Sequence, residues 1–459
     1  MTNQYEHIGA YILEGPQEWQ VFQRGDDGTA EINLSGVWTC EEPGYSVQVR
    51  VVREDTNRPP CAACDWQDAQ MIGKDAWKIT LKGVPTGGLY KIETSLGSPG
   101  NPWRHTGDRI LHLAVGDLWI IAGQSNAAGY GHGAVDDPPC LCVHMFGADL
   151  NWRLATHPLH DTTRTQHPAN RDSGFVNHTP WLAFGRQVHK ATGVPIGLLP
   201  LALGGAPLSL YDPASDDPAL YTTMMDVIGR VGGTAAGMVW YQGESDADPA
   251  NARTYAERFT RFVGAVRDAL GRPELPVITA QLNRVEGDFK PLEAKGWGMM
   301  REAQRQLART LPNVAVLPTL DLSLSDGIHT SASGNMILAE RFSRAALAVA
   351  YGHDIRYLAP DLARATFAGN GRTVLLEFDN VHGAWAVHKY PIQEFIVEDD
   401  TGEVAVDAIE IEGHRLLLTL SRETEGGVRV HGALSPNPET SLRDEDERPI
   451  LGFCDVPVE

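Results

Sequence analysis

Three side chains in this sequence have the types and spacing needed for nucleophilic catalysis. Ser125 lies in Gly123-Gln124-Ser125-Asn126, and far along the chain Asp326 stands three residues before His329. A serine becomes a nucleophile at neutral pH only when a base takes its proton, and that base needs an acid to orient it. These residues therefore predict acyl transfer through a serine. On its own, a serine after a strand is more often a plain helix N-cap.

The elements that must position these residues are the strands of an α/β sheet. Ser125 follows the apolar run 118–122, which predicts a buried strand, and Gly204-Gly205 follows a second strand at 196–201. Gln242 follows a third at 238–241, and the Asp326/His329 pair lies beyond the strand at 314–317. Open α/β sheets bind ligands at the carboxyl ends of their strands, so we expect these residues to meet there.

Four stretches together resemble the SGNH hydrolases, in particular the branch of sialate O-acetylesterases and related carbohydrate acetylesterases. The motifs that carry the resemblance are GQSN at 123–126, GG at 204–205, W-x-QGE at 240–244 and D-x-x-H at 326–329. The resemblance extends over most of the chain, although only these four blocks are specific. A G-x-S-x-G elbow, typical of α/β-hydrolases, is absent because Ala127 holds its fifth position.

The resemblance implies a role for each side chain. Ser125 would be the nucleophile, His329 the general base that returns the proton to the leaving alcohol, and Asp326 the acid that orients the imidazole. Asp321 is a rival for that last role, and Asp326-Gly327 could also be a simple turn.

The same resemblance implies an oxyanion hole. Its donors would be the backbone amide of Ser125, the amide of Gly205 (or Gly204) and the side-chain amide of Gln242. Asn126 and Glu244 match the family pattern as hydrogen-bonding supports. Two departures are Ala127, where the family often has methionine, and Tyr211, where a tryptophan commonly follows the GG block. We expect both to alter the pocket wall.

The pattern of elements predicts three domains. Residues 1–115 alternate with period two and predict an N-terminal β-sandwich-like domain. Residues 116–355 alternate strands with helices and predict an α/β catalytic domain, a three-layer, doubly wound parallel sheet of the SGNH or flavodoxin-like kind with five strands. Residues 356–459 return to strands and predict a C-terminal β domain.

Composition excludes several classes of function. A net charge of -21 argues against a nucleic-acid partner, and no stretch is apolar enough for a membrane helix. The N-terminal residues lack the features of a signal peptide, so we expect a cytoplasmic protein. Cys61 and Cys64 have redox or zinc spacing without a second pair at that spacing, so we expect no metal and no cofactor.

The sequence thus predicts a serine esterase that removes O-acetyl groups from carbohydrates through an acyl-enzyme. O-acetylated sialic acid and acetylated plant oligosaccharides, such as xylan fragments, are both candidate substrates. The alternative is a carbohydrate-binding protein whose hydrolase site is vestigial. Nothing in the sequence indicates an oligomeric state.

Overall fold

Strands make up both ends of the chain and alternate with helices in its middle. The structure is a computed structural model that describes residues 7–40, 44–172, 174, 176–369 and 371–459. The prediction that no signal peptide is present concerns mainly residues 1–6, which lie outside the described residues.

The N-terminal part consists of strands that pack around a hydrophobic core of their own. The strands are β1 (Gly9–Glu14), β2 (Val21–Gln23), β3 (Thr29–Thr39), β4 (Ser46–Arg53), β5 (Gln67–Asp68), β6 (Gln70–Ile72), β7 (Ala76–Pro85), β8 (Gly87–Gly97) and β9 (His105–Gly123). One antiparallel sheet has the order β1-β3-β7-β6, while β2, β4, β5 and β8 belong to the sheet that contains β9. Ile32, Val49 and Trp77, members of the period-two pattern, are buried in this core.

The middle of the chain adds helices and parallel strands around the largest hydrophobic core. Its elements are α1 (Ser125–Ala128), β10 (Val143–Phe146), β11 (Trp152–Leu154), α2 (Trp181–Thr192), β12 (Ile196–Pro200), α3 (Ala219–Arg230), β13 (Gly237–Tyr241), α4 (Pro249–Leu270), β14 (Val277–Ala280), α5 (Pro291–Thr310), β15 (Val314–Leu317) and α6 (Ala332–Val349).

The five predicted strands are parallel neighbours, but the central sheet as a whole is mixed. Its order is β11-β10-β12-β9-β13-β14-β15, with β11 antiparallel to β10 and the other pairs parallel. The short strands β10 and β11 are additions to the five predicted ones. After β9 the chain adds β10 and β12 on one side of this strand and then β13, β14 and β15 on its other side. The direction of strand addition therefore reverses at β9, and open α/β sheets bind ligands at such a switch point.

Strand β9 is much longer than the predicted strand at 118–122. Its first half pairs with β8 and β2 of the N-terminal part, and its second half lies between β12 and β13. The residues from Leu118 to Ala122 are almost completely buried. One strand therefore links the N-terminal sheet directly to the sheet that carries the candidate site.

The ends of the long helices follow local sequence signals. The Asp248 side chain accepts hydrogen bonds from the N–H groups of Ala250 and Asn251 and caps α4, which ends at Gly271 with a φ of 62°. Helix α2 packs against α6, and α4 packs against α5. Among the described residues, no helix is long and apolar enough to cross a membrane.

The C-terminal part is built of strands around a third hydrophobic core. The strands are β16 (Asp361–Phe367), β17 (Thr373–Asp379), β18 (Ala386–Val387), β19 (Phe395–Asp399), β20 (Gly402–Val404), β21 (Val406–Glu412), β22 (Arg415–Leu420), β23 (Arg429–Gly432), β24 (Leu442–Arg443) and β25 (Phe453–Pro457). Two four-stranded sheets have the orders β16-β17-β22-β21 and β20-β19-β23-β25, and β18 pairs with β24. Arg301 of α5 donates to the carbonyls of Ala433, Ser435 and Pro436 and so attaches this part to the α/β core.

Glu394 makes the stability of the protein depend on pH. Burial raises its pKa from 4.5 to about 7, although the N–H groups of Ser441 and Leu442 donate to its carboxylate. Because the unfolded chain ionises near 4.5, this group costs stability as the pH rises from that value through 7. We expect Glu394→Gln to raise the free energy of unfolding by about 3 kcal/mol at pH 8 and to leave it unchanged near pH 4. Denaturant unfolding at the two pH values measures this, and an equal effect at both would contradict it.

Candidate active site

The turn that carries Ser125 begins at a glycine, Gly123, where the backbones of two neighbouring strands lie close together. Gly123 ends β9 with a φ of 130°, and a Cβ at this position would lie 2.2 Å from the carbonyl oxygen of Tyr241. A larger residue would therefore push β9 and β13 apart. Ser125 follows as the first residue of α1, which ends after one turn where the N–H of Gly129 donates to the carbonyl of Ser125.

Ser125, His329 and Asp326 form one hydrogen-bonded line. The Oγ of Ser125 lies 3.0 Å from Nε2 of His329, and Nδ1 of His329 lies 2.7 Å from Oδ2 of Asp326. Ser125 is 7% exposed, whereas the Asp326 side chain is 44% exposed. The structure thus brings together three residues that the sequence places about 200 positions apart. The arrangement can transfer the serine proton to the imidazole.

Asp326 is held so that its carboxylate faces the imidazole. Its Oδ1 accepts the N–H groups of Ile328 and His329, each at 2.8 Å. Burial acts to raise the pKa of Asp326, but the His329 ring and the two N–H donors outweigh it, so the pKa lies below its usual value. Asp321, the rival acid, instead forms a paired contact with Arg341 at 2.7 Å for both oxygens.

Asn126 joins the nucleophile turn to the histidine loop. Its Nδ2 donates to Oε1 of Glu244 at 2.7 Å, and its Oδ1 accepts the N–H of Thr330 at 2.9 Å. Burial raises the pKa of Glu244, whose Oε2 has no hydrogen-bond partner among the described residues. Both side chains lie where a supporting role requires them.

The predicted oxyanion donors differ in whether their N–H groups are free. Gly204 donates its N–H to Oδ2 of Asp172 at 2.9 Å. Among the hydrogen bonds of the described residues, none uses the N–H of Ser125 or of Gly205. Gly205 is exposed and has a φ of 68°, while its carbonyl accepts from the Ser245 hydroxyl. Ser125 and Gly205 therefore have amides available for an acyl oxygen.

Gln242 does not meet the expectation of a third oxyanion donor in this geometry. Its side chain is completely buried, and its Nε2 donates to the Ala206 carbonyl at 3.2 Å and to Asp246 at 2.6 Å. Its Oε1 accepts from the Tyr255 hydroxyl at 3.0 Å. Both amide hydrogens are thus in use, and none is left for a substrate oxygen.

The expectation that Ala127 and Tyr211 shape the pocket wall is wrong, because both are buried. The Tyr211 hydroxyl donates towards the carbonyls of Gly123 and Leu201 at 2.8 and 2.9 Å. The carbonyl of Ala127 accepts from the Trp181 indole at 2.7 Å. These residues support the nucleophile turn from beneath.

Sequence reasoning missed three residues that hold the site. Oε1 of Gln124 accepts the N–H groups of Gly243 and Ser245 at 3.4 and 3.2 Å, so it fixes the turn after β13. The ring of Tyr130 lies beside that of His329, with 4.9 Å between centroids, and its hydroxyl donates to Asp172. Asp172 lies in a long segment without predicted elements, and the length of that segment was a signal, since such loops are commonly functional.

Two clusters of possible metal ligands occur among the described residues. In the first, Asp137 accepts from Nε2 of His157 at 2.8 Å and pairs with Arg186 at 2.7 Å. In the second, which also contains Cys454, the N–H of Asp455 donates to Nδ1 of His431, so the imidazole proton lies on Nε2. The sulfurs of Cys61 and Cys64 lie 2.9 Å apart, outside both clusters.

Comparison with known proteins identifies the family of the chain. A family model described as carbohydrate esterase, sialic acid-specific acetylesterase, matches residues 115–348, about half of the chain. A probable carbohydrate esterase of Arabidopsis thaliana is 28% identical over 256 residues, which are 50% of this chain and 90% of that protein. The crystal structure of a carbohydrate acetylesterase from Xanthomonas citri shares the fold, with a TM-score of 0.66 and 21% identity over 96% of this chain and 99% of that one. The chain therefore belongs to the sialic acid-specific acetylesterase family of carbohydrate esterases and is a carboxylic ester hydrolase.

Proposed function

We propose that this protein removes O-acetyl groups from a saccharide through an acetyl-enzyme formed on Ser125. The observation that carries the proposal is the hydrogen-bonded line from Ser125 through His329 to Asp326, with distances of 3.0 and 2.7 Å. In this line the nucleophile is in hydrogen-bond contact with the base, and the base with the orienting acid.

The first half of the reaction transfers the acetyl group to the enzyme. Oγ of Ser125 attacks the acetyl carbonyl while Nε2 of His329 takes its proton, and Asp326 stabilises the resulting imidazolium. The N–H groups of Ser125 and Gly205 donate to the oxyanion. The intermediate collapses when the bond to the sugar oxygen breaks, and His329 gives its proton to that oxygen.

The second half releases acetate. His329 takes a proton from a water molecule, which attacks the carbonyl of the acetyl-serine, and the same two amides stabilise the second oxyanion. Collapse returns the proton to Oγ of Ser125. Both halves use side chains, backbone amides and water alone.

The charges around the site favour a neutral acetylated saccharide over O-acetylated sialic acid. Besides His329, the ionisable side chains that hold the site include the carboxyl groups of Asp172 and Asp326, whose pKa values lie below the usual range. Neither of them forms an ion pair with a lysine or arginine among the described residues. The carboxylate of a sialic acid is normally recognised by such a cation, and here it would meet charge of its own sign.

We further propose the division into domains at 1–115, 116–355 and 356–459, and a three-layer arrangement of the middle part. Three separate hydrophobic cores support the division, although its first boundary falls within β9. The packing of α2 on α6 and of α4 on α5 supports the layers.

Release of acetate from three substrates tests this function. Purified protein is given p-nitrophenyl acetate, acetylated xylo-oligosaccharides and O-acetylated sialic acid. We expect kcat/KM to be about tenfold or more higher for the xylo-oligosaccharides, and added salt to raise kcat/KM only for the sialic acid. Preference for sialic acid would refute the proposed substrate class. Binding of either sugar with no release of acetate would favour the carbohydrate-binding alternative.

A further inference from the structure

Asp172 and Tyr130 connect the two halves of the catalytic apparatus, although neither belongs to the triad. We infer that they form a positioning clamp that selects Gly205 as the oxyanion donor and holds the ring of His329. The effect of this clamp on catalysis rests on the proposed function. The clamp itself rests on hydrogen bonds and a ring contact between described residues.

The carboxylate of Asp172 decides which glycine amide is free. Its Oδ2 accepts the N–H of Gly204 at 2.9 Å, and its Oδ1 accepts the N–H of Gly174, also at 2.9 Å. With the amide of Gly204 directed at Asp172, only that of Gly205 remains for a substrate. The choice between the two glycines that the sequence leaves open is therefore made by a residue from a distant loop.

The loop that carries Asp172 is itself fixed. The backbone N–H of Asp172 donates to the hydroxyl of Thr162 at 2.9 Å. Burial acts to raise the pKa of Asp172, but the hydrogen bonds from Tyr130, Gly174 and Gly204 outweigh it, so the carboxyl group stays ionised at neutral pH. An ionised acceptor makes stronger hydrogen bonds than a neutral one.

Tyr130 carries the clamp to the catalytic histidine. Its hydroxyl donates to Oδ1 of Asp172 at 2.5 Å, and its ring lies 4.9 Å from the His329 ring, centroid to centroid, at an angle of 32°. This contact restricts rotation of the imidazole. An aromatic ring at this distance also favours the imidazolium that forms in the transition state over the neutral ground state.

Two glycines leave the space that the Tyr130 hydroxyl occupies. A Cβ at Gly174 would lie 1.6 Å from the hydroxyl oxygen, and one at Gly204 would lie 2.6 Å from it. The tyrosine therefore fits closely between the loop of Asp172 and the loop of the oxyanion hole. Because neither Asp172 nor Tyr130 is assigned contact with the reacting atoms, both are positioning residues.

The test compares wild type with Asp172→Ala, Tyr130→Phe and a control, Asp161→Asn. Asp161 lies in the same loop, but among the described residues its carboxylate forms hydrogen bonds only with Thr163. On p-nitrophenyl acetate we expect Asp172→Ala to lower kcat about 100-fold with little change in KM, as loss of one oxyanion donor does. Tyr130→Phe keeps the ring, so its kcat should lie between those of Asp172→Ala and wild type. The kcat of Asp161→Asn should equal that of wild type.

Hydrogen exchange at single-residue resolution tests the clamp without reference to activity. The amide of Gly204 should exchange slowly in wild type and in Asp161→Asn, and fast in Asp172→Ala. Equal exchange of Gly204 in all three proteins, or an unchanged kcat in Asp172→Ala and Tyr130→Phe, would refute the clamp while leaving the esterase function standing. If wild type cleaves no ester, the proposed function fails, and the exchange of Gly204 still decides whether the clamp exists.

Discussion

Replacing Ser125 by alanine should lower kcat on p-nitrophenyl acetate about 10⁴-fold or more. The variant loses the atom that forms the acyl-enzyme, while the amides of Ser125 and Gly205 can still polarise the ester, so a small residual rate is expected. The fold should be unaffected, because the substitution removes one hydroxyl whose hydrogen-bond partner is the His329 ring. Steady-state kinetics at saturating substrate measure the effect.

Ser333→Ala is the matched control for this variant. Ser333 lies in the first turn of α6, only four residues beyond His329 in sequence, and its hydroxyl contacts Ser323 and Ser331. It should keep the wild-type kcat. If Ser125→Ala retained more than about a tenth of wild-type activity, catalysis by a serine would be contradicted. No other hydroxyl forms a hydrogen bond with Nε2 of His329 among the described residues.

Replacing Asp326 by asparagine should lower kcat about 10³ to 10⁴-fold with little effect on KM. Oδ1 of Asp326 accepts two backbone N–H groups, from Ile328 and His329. The carboxamide oxygen of the variant must take that place, which turns its NH₂ group towards Nδ1 of His329. A donor at this position favours the tautomer with the proton on Nε2, so the imidazole can no longer accept the proton of Ser125.

The control for Asp326→Asn is Glu286→Gln. Glu286 is also an exposed acid beside the site, and its backbone N–H donates to the carbonyl of Gly327 at 2.7 Å. Its side chain forms no hydrogen bond or ion pair with another described residue, so this variant should keep wild-type kcat. If Asp326→Asn lost less than tenfold, another group would have to orient His329.

The placement of the catalytic residues could be predicted because it depends on the ends of strands. Ser125 follows β9 and the Asp326/His329 pair follows β15, two parallel strands of one sheet with β13 and β14 between them, and the sheet brings their ends to one edge. Gln242 also follows such a strand. Its hydrogen bonds to Asp246 and Ala206 depend on how two loops fold over each other, and no local pattern encodes that.

The length of β9 shows a second limit of sequence patterns. The run from Leu118 to Ala122 is apolar on both faces and is recognisable as a buried strand. The preceding residues contain charged and exposed side chains, such as Asp108 and Arg109, because that half of β9 lies in the N-terminal sheet. Pairing with β8 and with β2 extends the strand, and the exposed, charged side chains of this half leave no apolar run that would mark it in the sequence.

Burial of Tyr211 has a similar cause. Its position after the GG block placed it near the site, but its hydroxyl is directed at the carbonyl groups of Gly123 and Leu201. A tyrosine beneath a turn and a tyrosine facing a substrate look the same in a sequence. The two cases differ only in the path that the chain takes after Gly205.

Covalent labelling with diethyl p-nitrophenyl phosphate tests the central claim most directly. This reagent phosphorylates an activated serine and, unlike an acetyl ester, leaves an adduct that persists for peptide mass analysis. The account predicts one label per chain, on Ser125, with activity lost in proportion to labelling, and much slower labelling of Asp326→Asn. A label on another residue, or full activity after Ser125 is labelled, would contradict it.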